Sequence, residues 1–288
     1  MRFVSYNIQY GKGRDGRFDL ERIARAVEGA DVVAMQEVER FYKRSALVDQ
    51  PAELAHFLPA YHWVFGPGLD LDAGGAGPDG RPVHRRRQFG NLLLSRTPIL
   101  SARNHLLPKF GALTQFSLQR AALEGVVATP SGPIRVYSIH LTHLSDDTRR
   151  PQVERILDLH ARAPIEGGAW CGEHDEGWTE GQPPPVMPRE AVLMGDFNFT
   201  PDSPLYARLA GPWSPEYGRM NGLEGFVDAW ASSGRREGEG ITCPDAHGGK
   251  RIDYCFVSSR LAARIRRAWI DEQADGSDHQ PIWTEIDL

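Results

Sequence analysis

Nine short apolar runs punctuate this chain, at residues 3–7, 32–36, 62–65, 91–95, 121–128, 135–140, 191–195, 252–258 and 282–286. They are rich in Val, Ile, Leu and aromatic residues, and Gly, Pro or Asp bounds them, which is the pattern of β-strands. Helical patterns are fewer. Asp19 is placed to cap a helix whose Leu20, Ile23, Ala24 and Val27 share one face, with Gly29 at its end. Residues 51–58 read as a short helix. Pro151 suits a first helical turn ahead of Val153, Ile156, Leu157 and His160. Many strands with few helices between them predict packed sheets flanked by helices, an α/β class. No repeat and no linker divides the 288 residues, so residues 1–288 read as one domain.

Two segments stand apart from this alternation. Residues 66–82 hold six glycines and three prolines and read as a loop. Residues 164–188 hold five glycines, five prolines, Trp170 and Trp178, and form a loop insertion. So long a loop in a compact domain is usually functional or disordered. The plainer reading is a mobile surface insertion, and the tryptophans give the sharper one, a lid over a site.

Charge and cysteine content narrow the function. A net charge of −5 excludes a protein held on nucleic acid by bulk charge alone. Cys171, Cys243 and Cys255 are odd in number and irregularly spaced, so they build neither a disulfide framework nor a thiolate metal site. Residues 1–5 enter a strand at once, with no signal-peptide core and no membrane-spanning run, which points to a cytoplasmic location.

Polar islands close several of the apolar runs. They are Ser5-Tyr6-Asn7, Gln36-Glu37, Gly195-Asp196-Phe197-Asn198, Arg251-Ile252-Asp253-Tyr254 and Gly276-Ser277-Asp278-His279. Taken singly, each reads equally well as a turn or a cap. Together they supply four acids, the amides of Asn7 and Asn198, and a histidine, which suits a hard divalent cation such as Mg²⁺ with its oxygen ligands. Glu37 and Asn7 stand at strand ends, where a carboxylate or amide makes a rigid ligand. Asp196 and Asn198 lie two residues apart and so face one side of an extended segment. An imidazole such as His279 can activate water near neutral pH, and a carboxylate beside it fixes its tautomer.

The order of these islands, from Ser5-Tyr6-Asn7 to Ser277-Asp278-His279, resembles the endonuclease/exonuclease/phosphatase superfamily of metal-dependent phosphoesterases over essentially the whole chain. Gly195-Asp196-Phe197-Asn198 and Ser277-Asp278-His279 are the most specific pieces. The resemblance implies a four-layer α/β sandwich with two packed mixed sheets, and one or two Mg²⁺ or Mn²⁺ ions at the sheet ends. It implies Glu37 as principal metal ligand with Asn7 beside it, and Asp278 as a further metal-proximal acid. His279 then matches the catalytic histidine, Asp253 the acid that orients it, and Asp196 with Asn198 the pair that positions water and phosphate. His140 matches a histidine placed on the scissile phosphate. Gln9 departs from the aspartate that some nucleases of the group carry there.

Substrate signals are local. Between Arg81 and Lys109 lie seven basic residues and no acids, including Arg85-Arg86-Arg87. Asn91 and Arg251 are candidate substrate contacts. One short basic segment, opposite an acidic insertion, favours a small or lipid-derived phosphodiester or phosphomonoester over long nucleic acid. A DNA or RNA nuclease is the alternative. A catalytically silent binding module on the same scaffold should have lost Glu37 or His279, and both are present.

Overall fold

The computed structural model describes residues 1–288. Two six-stranded sheets face each other. One has the order β11-β12-β1-β2-β4-β3, formed by Ile265–Ile270, Ile282–Ile286, Arg2–Asn7, Val32–Arg40, Arg86–Ser95 and His62–Asp72. The other has the order β9-β10-β8-β7-β6-β5, formed by Phe226–Asp228, Asp253–Ser258, Ala191–Asp196, Ile134–His140, Ala121–Val127 and Ile99–Leu106. Both sheets are mixed: β1 runs parallel to β2 and β7 parallel to β8, and the remaining pairs are antiparallel.

Burial on both faces explains the continuous apolar runs. Val32, Ala34, Val136, Val192 and Met194 point between the sheets, into a layer with Phe3, Leu93, Cys255 and Ile282. Their neighbours Val33 and Met35 point outward under α1 (Leu20–Ala26) and α2 (Gln50–Phe57). Tyr137, Ile139 and Leu193 point outward on the other side, under α3 (Asp146–Glu166) and α4 (Pro204–Ala210). The result is the expected four layers, α/β/β/α. No helix is long and apolar enough to cross a membrane.

Local expectations hold in part. Asp19 does cap α1, its carboxylate accepting from the Arg22 amide at 2.8 Å. Pro151 does not open its helix. Ser145 caps α3 in a reciprocal capping box with Thr148, so Pro151 lies inside the helix. Residues 66–82 are not simply a loop either, because β3 continues to Asp72 and pairs with β4 from Arg86, forming a projecting hairpin arm. Strands β5 and β11 escaped the pattern because they are sheet edges: only alternate positions of β5 are covered, and Arg266 and Arg267 occupy exposed positions of β11.

The roots of the insertion are tied to the second sheet. Arg103 Nη2 donates to the carbonyls of Gly167 at 2.7 Å and Gly168 at 2.9 Å. Arg135 donates to the carbonyls of Pro188 and Arg189, each at 2.7 Å. Arg135 begins β7 and His140 ends it. The C-terminal root of the insertion is therefore anchored about 16 Å from the strand end that carries His140, at roughly 3.3 Å per residue.

Candidate active site

The C-terminal ends of β1, β2, β7 and β8 open on one edge of the sandwich, and β10 and β12 start there. Asn7, Glu37, His140, Asp196, Asp253 and His279 meet at this edge. The sheets are sutured just beneath it. Gln36 Nε2 donates to Ser138 Oγ at 3.0 Å, and Ser138 Oγ donates to the Met35 carbonyl at 2.9 Å.

Local backbone geometry aims the acids. Glu37 is not at a strand end. It occupies a bulge within β2, where the register with β4 shifts between Met35 and Val38, and its φ is 60°. That left-handed conformation costs about 1 kcal/mol or more in a non-glycine residue, and such strain gathers at functional sites. Asn198 is held the same way, at φ 55°. Gly195 is required before Asp196, since a Cβ there would come within 1.9 Å of the Ile139 carbonyl oxygen. The turn before β12 is tied to β1 by Ser277, whose Oγ donates to the Asn7 carbonyl at 2.7 Å and accepts from the His279 amide at 3.1 Å.

Two buried histidines face Asp196, one from the end of β7 and one from the turn before β12. His279 Nδ1 lies 2.8 Å from Asp253 Oδ2, and its Nε2 lies 3.9 Å from Asp196 Oδ2. His140 Nε2 lies 3.4 Å from the same Asp196 oxygen and 4.0 Å from Glu37 Oε1. Asn7 Nδ2 donates to Asp196 Oδ2 at 3.0 Å and reaches Glu37 Oε1 at 3.5 Å. The Asn198 amide donates to Asp196 Oδ1 at 2.9 Å, while its side chain donates to the Leu141 carbonyl at 3.1 Å. Asp278 Oδ2 accepts from Gln9 Nε2 at 2.7 Å. Glu37 keeps 22% of its side chain exposed, against 3% for Asp196 and 1% for Asp253, so it is the carboxylate open to the cleft.

Burial and proximity shift the titrations in opposite directions. Burial, then repulsion from Asp253, pushes Asp196 up to about 7. Burial also raises Glu37, and Asp278 adds to the rise. Burial alone would lower His279, but its pairing with Asp253 outweighs this and raises it well above the ordinary value. Burial, then the Arg120 and His279 charges, drives His140 well below the ordinary value.

Three findings lay outside the sequence reading. Arg120, which opens β6 and is buried, donates from Nη1 to His140 Nδ1 at 2.8 Å, and its Nη2 lies 3.5 Å from His143 Nδ1. A lone arginine before an apolar run carries no sequence signal. Asn91, a candidate substrate contact, is engaged within the fold: its buried Nδ2 donates to the carbonyls of Ala121 at 2.8 Å and Ser138 at 3.0 Å, bracing the sheets. Arg251, the other candidate, is engaged within the fold too. Its side chain is 1% exposed, its Nη1 donates to Asp228 Oδ2 at 2.7 Å, and its Nη2 donates to the Glu237 carbonyl.

The family model described as Endonuclease/Exonuclease/phosphatase family matches residues 4–279. No curated protein matches the chain. Among solved structures, it is similar to an endonuclease/exonuclease/phosphatase from Beutenbergia cavernae DSM 12333, with 22% identity, TM-score 0.67, and coverage of 100% of this chain and 71% of that one. A Bacteroides thetaiotaomicron VPI-5482 mannosyl-6-phosphatase shares 17% identity with a TM-score of 0.64, covering 100% of both chains. A 3'-5' exonuclease from Neisseria meningitidis shares 18% identity with a TM-score of 0.58, again covering 100% of both. At these identities the likeness establishes the fold.

Proposed function

Because the chain belongs to the endonuclease/exonuclease/phosphatase family, whose members hydrolyse phosphoester bonds, we propose that it is a divalent-metal-dependent phosphoesterase acting on a small or lipid-derived phosphodiester or phosphomonoester. One observation carries this reading. The Asp253–His279 pair at 2.8 Å turns its free imidazole nitrogen toward Asp196, beside the exposed carboxylate of Glu37.

The donor set fits a hard cation. Asp196, Asp253 and His279 bring ligand-type atoms within 4.8 Å of one another, and Asp253 Oδ1 is buried without a hydrogen-bond partner. Glu37 and Asp196 are both raised by burial, so positive charge is what the cluster lacks. Asp253 and His279 are committed to each other, which leaves Glu37, Asn7 and Asp278 to hold Mg²⁺ or Mn²⁺. When bound, the ion would polarise the phosphoryl oxygen, neutralise developing charge and favour the neutral imidazole.

The chain's own residues do the rest. His279 Nε2 takes a proton from the attacking water as the oxygen–phosphorus bond forms and the ester bond breaks. Asp253 keeps the proton on Nδ1 and stabilises the imidazolium that results. Asp196 orients the water, and the Asn198 amide fixes Asp196 in turn. His140 donates from Nε2 to a phosphate oxygen.

Small substrates are favoured because the net charge is −5 and the basic surface is local. The nuclease reading draws on Arg85 and Arg87, which lie over the rings of Phe41 at 5.6 Å and Tyr42 at 5.8 Å. The test is a hydrolysis screen with Mg²⁺ and Mn²⁺ on bis-p-nitrophenyl phosphate, p-nitrophenyl phosphate, phospholipids, plasmid DNA and RNA. Chelator-sensitive turnover of the small or lipid esters supports the proposal. Efficient plasmid nicking at physiological salt, lost on replacing Arg85, Arg86 and Arg87, reverses the ranking, and full activity in excess chelator removes the metal.

A further inference from the structure

The connection between β5 and β6 turns apolar side chains to solvent. Leu113 is 104% exposed, Phe116 74%, Phe110 58% and Leu106 58%. The loop is nonetheless ordered by its own polar atoms. Gln119 Nε2 donates to the Leu107 carbonyl at 2.6 Å, Ser117 Oγ to the Phe110 carbonyl, and Gln152 Nε2 to the Pro108 carbonyl at 2.9 Å. Its carbonyls at Leu107, Pro108 and Phe110 are bonded while its apolar side chains are left outside. Four exposed large apolar side chains gathered in one connection mark an interaction surface.

The β3–β4 arm lies alongside. A Cβ on Gly68 would come within 2.6 Å of the Gln119 carbonyl oxygen, so the root of the arm packs on the root of the loop. The arm adds the exposed Leu71 and Val83. It also carries Asp70, Asp72 and Asp79; Arg86 pairs with Asp70 at 2.8 Å and Arg81 with Asp79 at 3.5 Å, which leaves Arg85, Arg87 and Lys109 as basic groups outside any ion pair. No acid occurs between Arg81 and Lys109, and Lys109 is the one charged residue between His105 and Arg120. The loop runs directly into Arg120, which rests on His140. An apolar protrusion flanked by basic residues thus borders the site.

We propose that this face docks on an anionic phospholipid bilayer and presents the site to a lipid phosphoester headgroup, a substrate class that rests on the reading given under Proposed function. Apolar insertion together with basic residues is the pair of signals that peripheral binding requires. Phe110 and Phe116 offer π-faces, but Leu106 and the fully exposed Leu113 offer none to stack on bases and gain equally from acyl chains, which ranks a bilayer ahead of single-stranded nucleic acid. A second copy of this chain would bring like basic charges together, which argues against self-association.

Flotation of the full chain with phosphatidylcholine vesicles, with and without phosphatidylglycerol, tests the surface. Hydrolysis of bis-p-nitrophenyl phosphate is followed in parallel. Wild type should float with the anionic vesicles. The Leu113→Ser, Phe116→Ser double variant should bind about tenfold more weakly or worse, from the lost apolar burial, while hydrolysing the soluble ester at the wild-type rate. Wild type that does not float, or a double variant that floats equally well, overturns the proposal. So does a concentration-dependent dimer that the double variant abolishes, which assigns the patch to a second copy. Flotation by a protein that hydrolyses no phosphoester supports the surface and counts only against the reading of the site.

Discussion

Arg120 Nη1 lies 2.8 Å from His140 Nδ1, with both side chains buried. Guanidinium has no acceptor, so Nδ1 must offer its lone pair and the neutral ring carries its hydrogen on Nε2. That hydrogen faces Asp196 Oδ2 at 3.4 Å and Glu37 Oε1 at 4.0 Å. His140 is thereby held as a donor toward the cleft.

Replacing Arg120 should release this tautomer. Arg120→Met is expected to lower kcat by roughly 10–100-fold, the loss of an oriented hydrogen-bond donor to the reacting phosphate. Nitrogen NMR of His140 should show the hydrogen redistributed between Nδ1 and Nε2. An unchanged tautomer would refute the assignment, whatever happens to the rate.

For His279 the expected loss is larger. His279→Ala should cost about 10²–10⁴-fold in kcat, the usual range for general-base assistance. Asp253 raises the His279 pKa well above the ordinary 6.5. Removing its charge with Asp253→Asn should therefore move the acid limb of the kcat/KM profile to lower pH as the plateau falls. A limb that stays put or moves upward contradicts the pairing.

Metal binding should be visible without catalysis. Asp196 rises from its ordinary 3.8 to about 7, so the folded chain holds more protons than the unfolded one between these values. The Asp196 contribution to the stability of the metal-free protein is then fully present below its ordinary 3.8 and is lost as pH rises through about 7. A divalent ion relieves that repulsion. Mn²⁺ should raise Tm more near pH 8 than near pH 5, and Glu37→Gln should remove most of the shift. A pH-independent shift, or one that survives Glu37→Gln, would count against this ligand set.

Arg251 should behave as a structural residue. Arg251→Met leaves Asp228 buried without its partner and should destabilise by about 3–5 kcal/mol in chemical denaturation, with KM of the folded fraction unchanged. A raised KM at wild-type stability would restore it as a substrate contact.

Deletion tests whether the insertion works as a lid. Its flanks are held by Arg103 and Arg135, and it contains none of the proposed catalytic residues. Replacing residues 169–184 with a short Gly-Ser turn should leave kcat and KM within about twofold, whereas loss of a lid changes them together. A several-fold rise in KM would show that the loop reaches the cleft.

Much of this was legible in the chain itself. Val32, Val33, Ala34 and Met35 are all apolar because sheets covered on both faces leave no polar side, so strand positions and layers follow from pattern. Asp19 marked a helix start because an N-cap is a local hydrogen bond. The order of the polar islands pointed to the family because the islands fall at or beside strand ends along the whole chain. The tertiary structure alone decided the rest. Edge strands β5 and β11 carry polar residues because only one side of their ladder is paired. The bulge at Glu37 depends on register with a strand some fifty residues away. Arg120, Asn91 and Arg251 are alike in sequence, each a polar residue near an apolar run. Only packing made one a partner of His140, one a brace between sheets and one half of a buried ion pair. Periodicity and capping are local and written into neighbouring residues. The partner of a long polar side chain is set by which distant strands come together, and no single stretch of sequence records that.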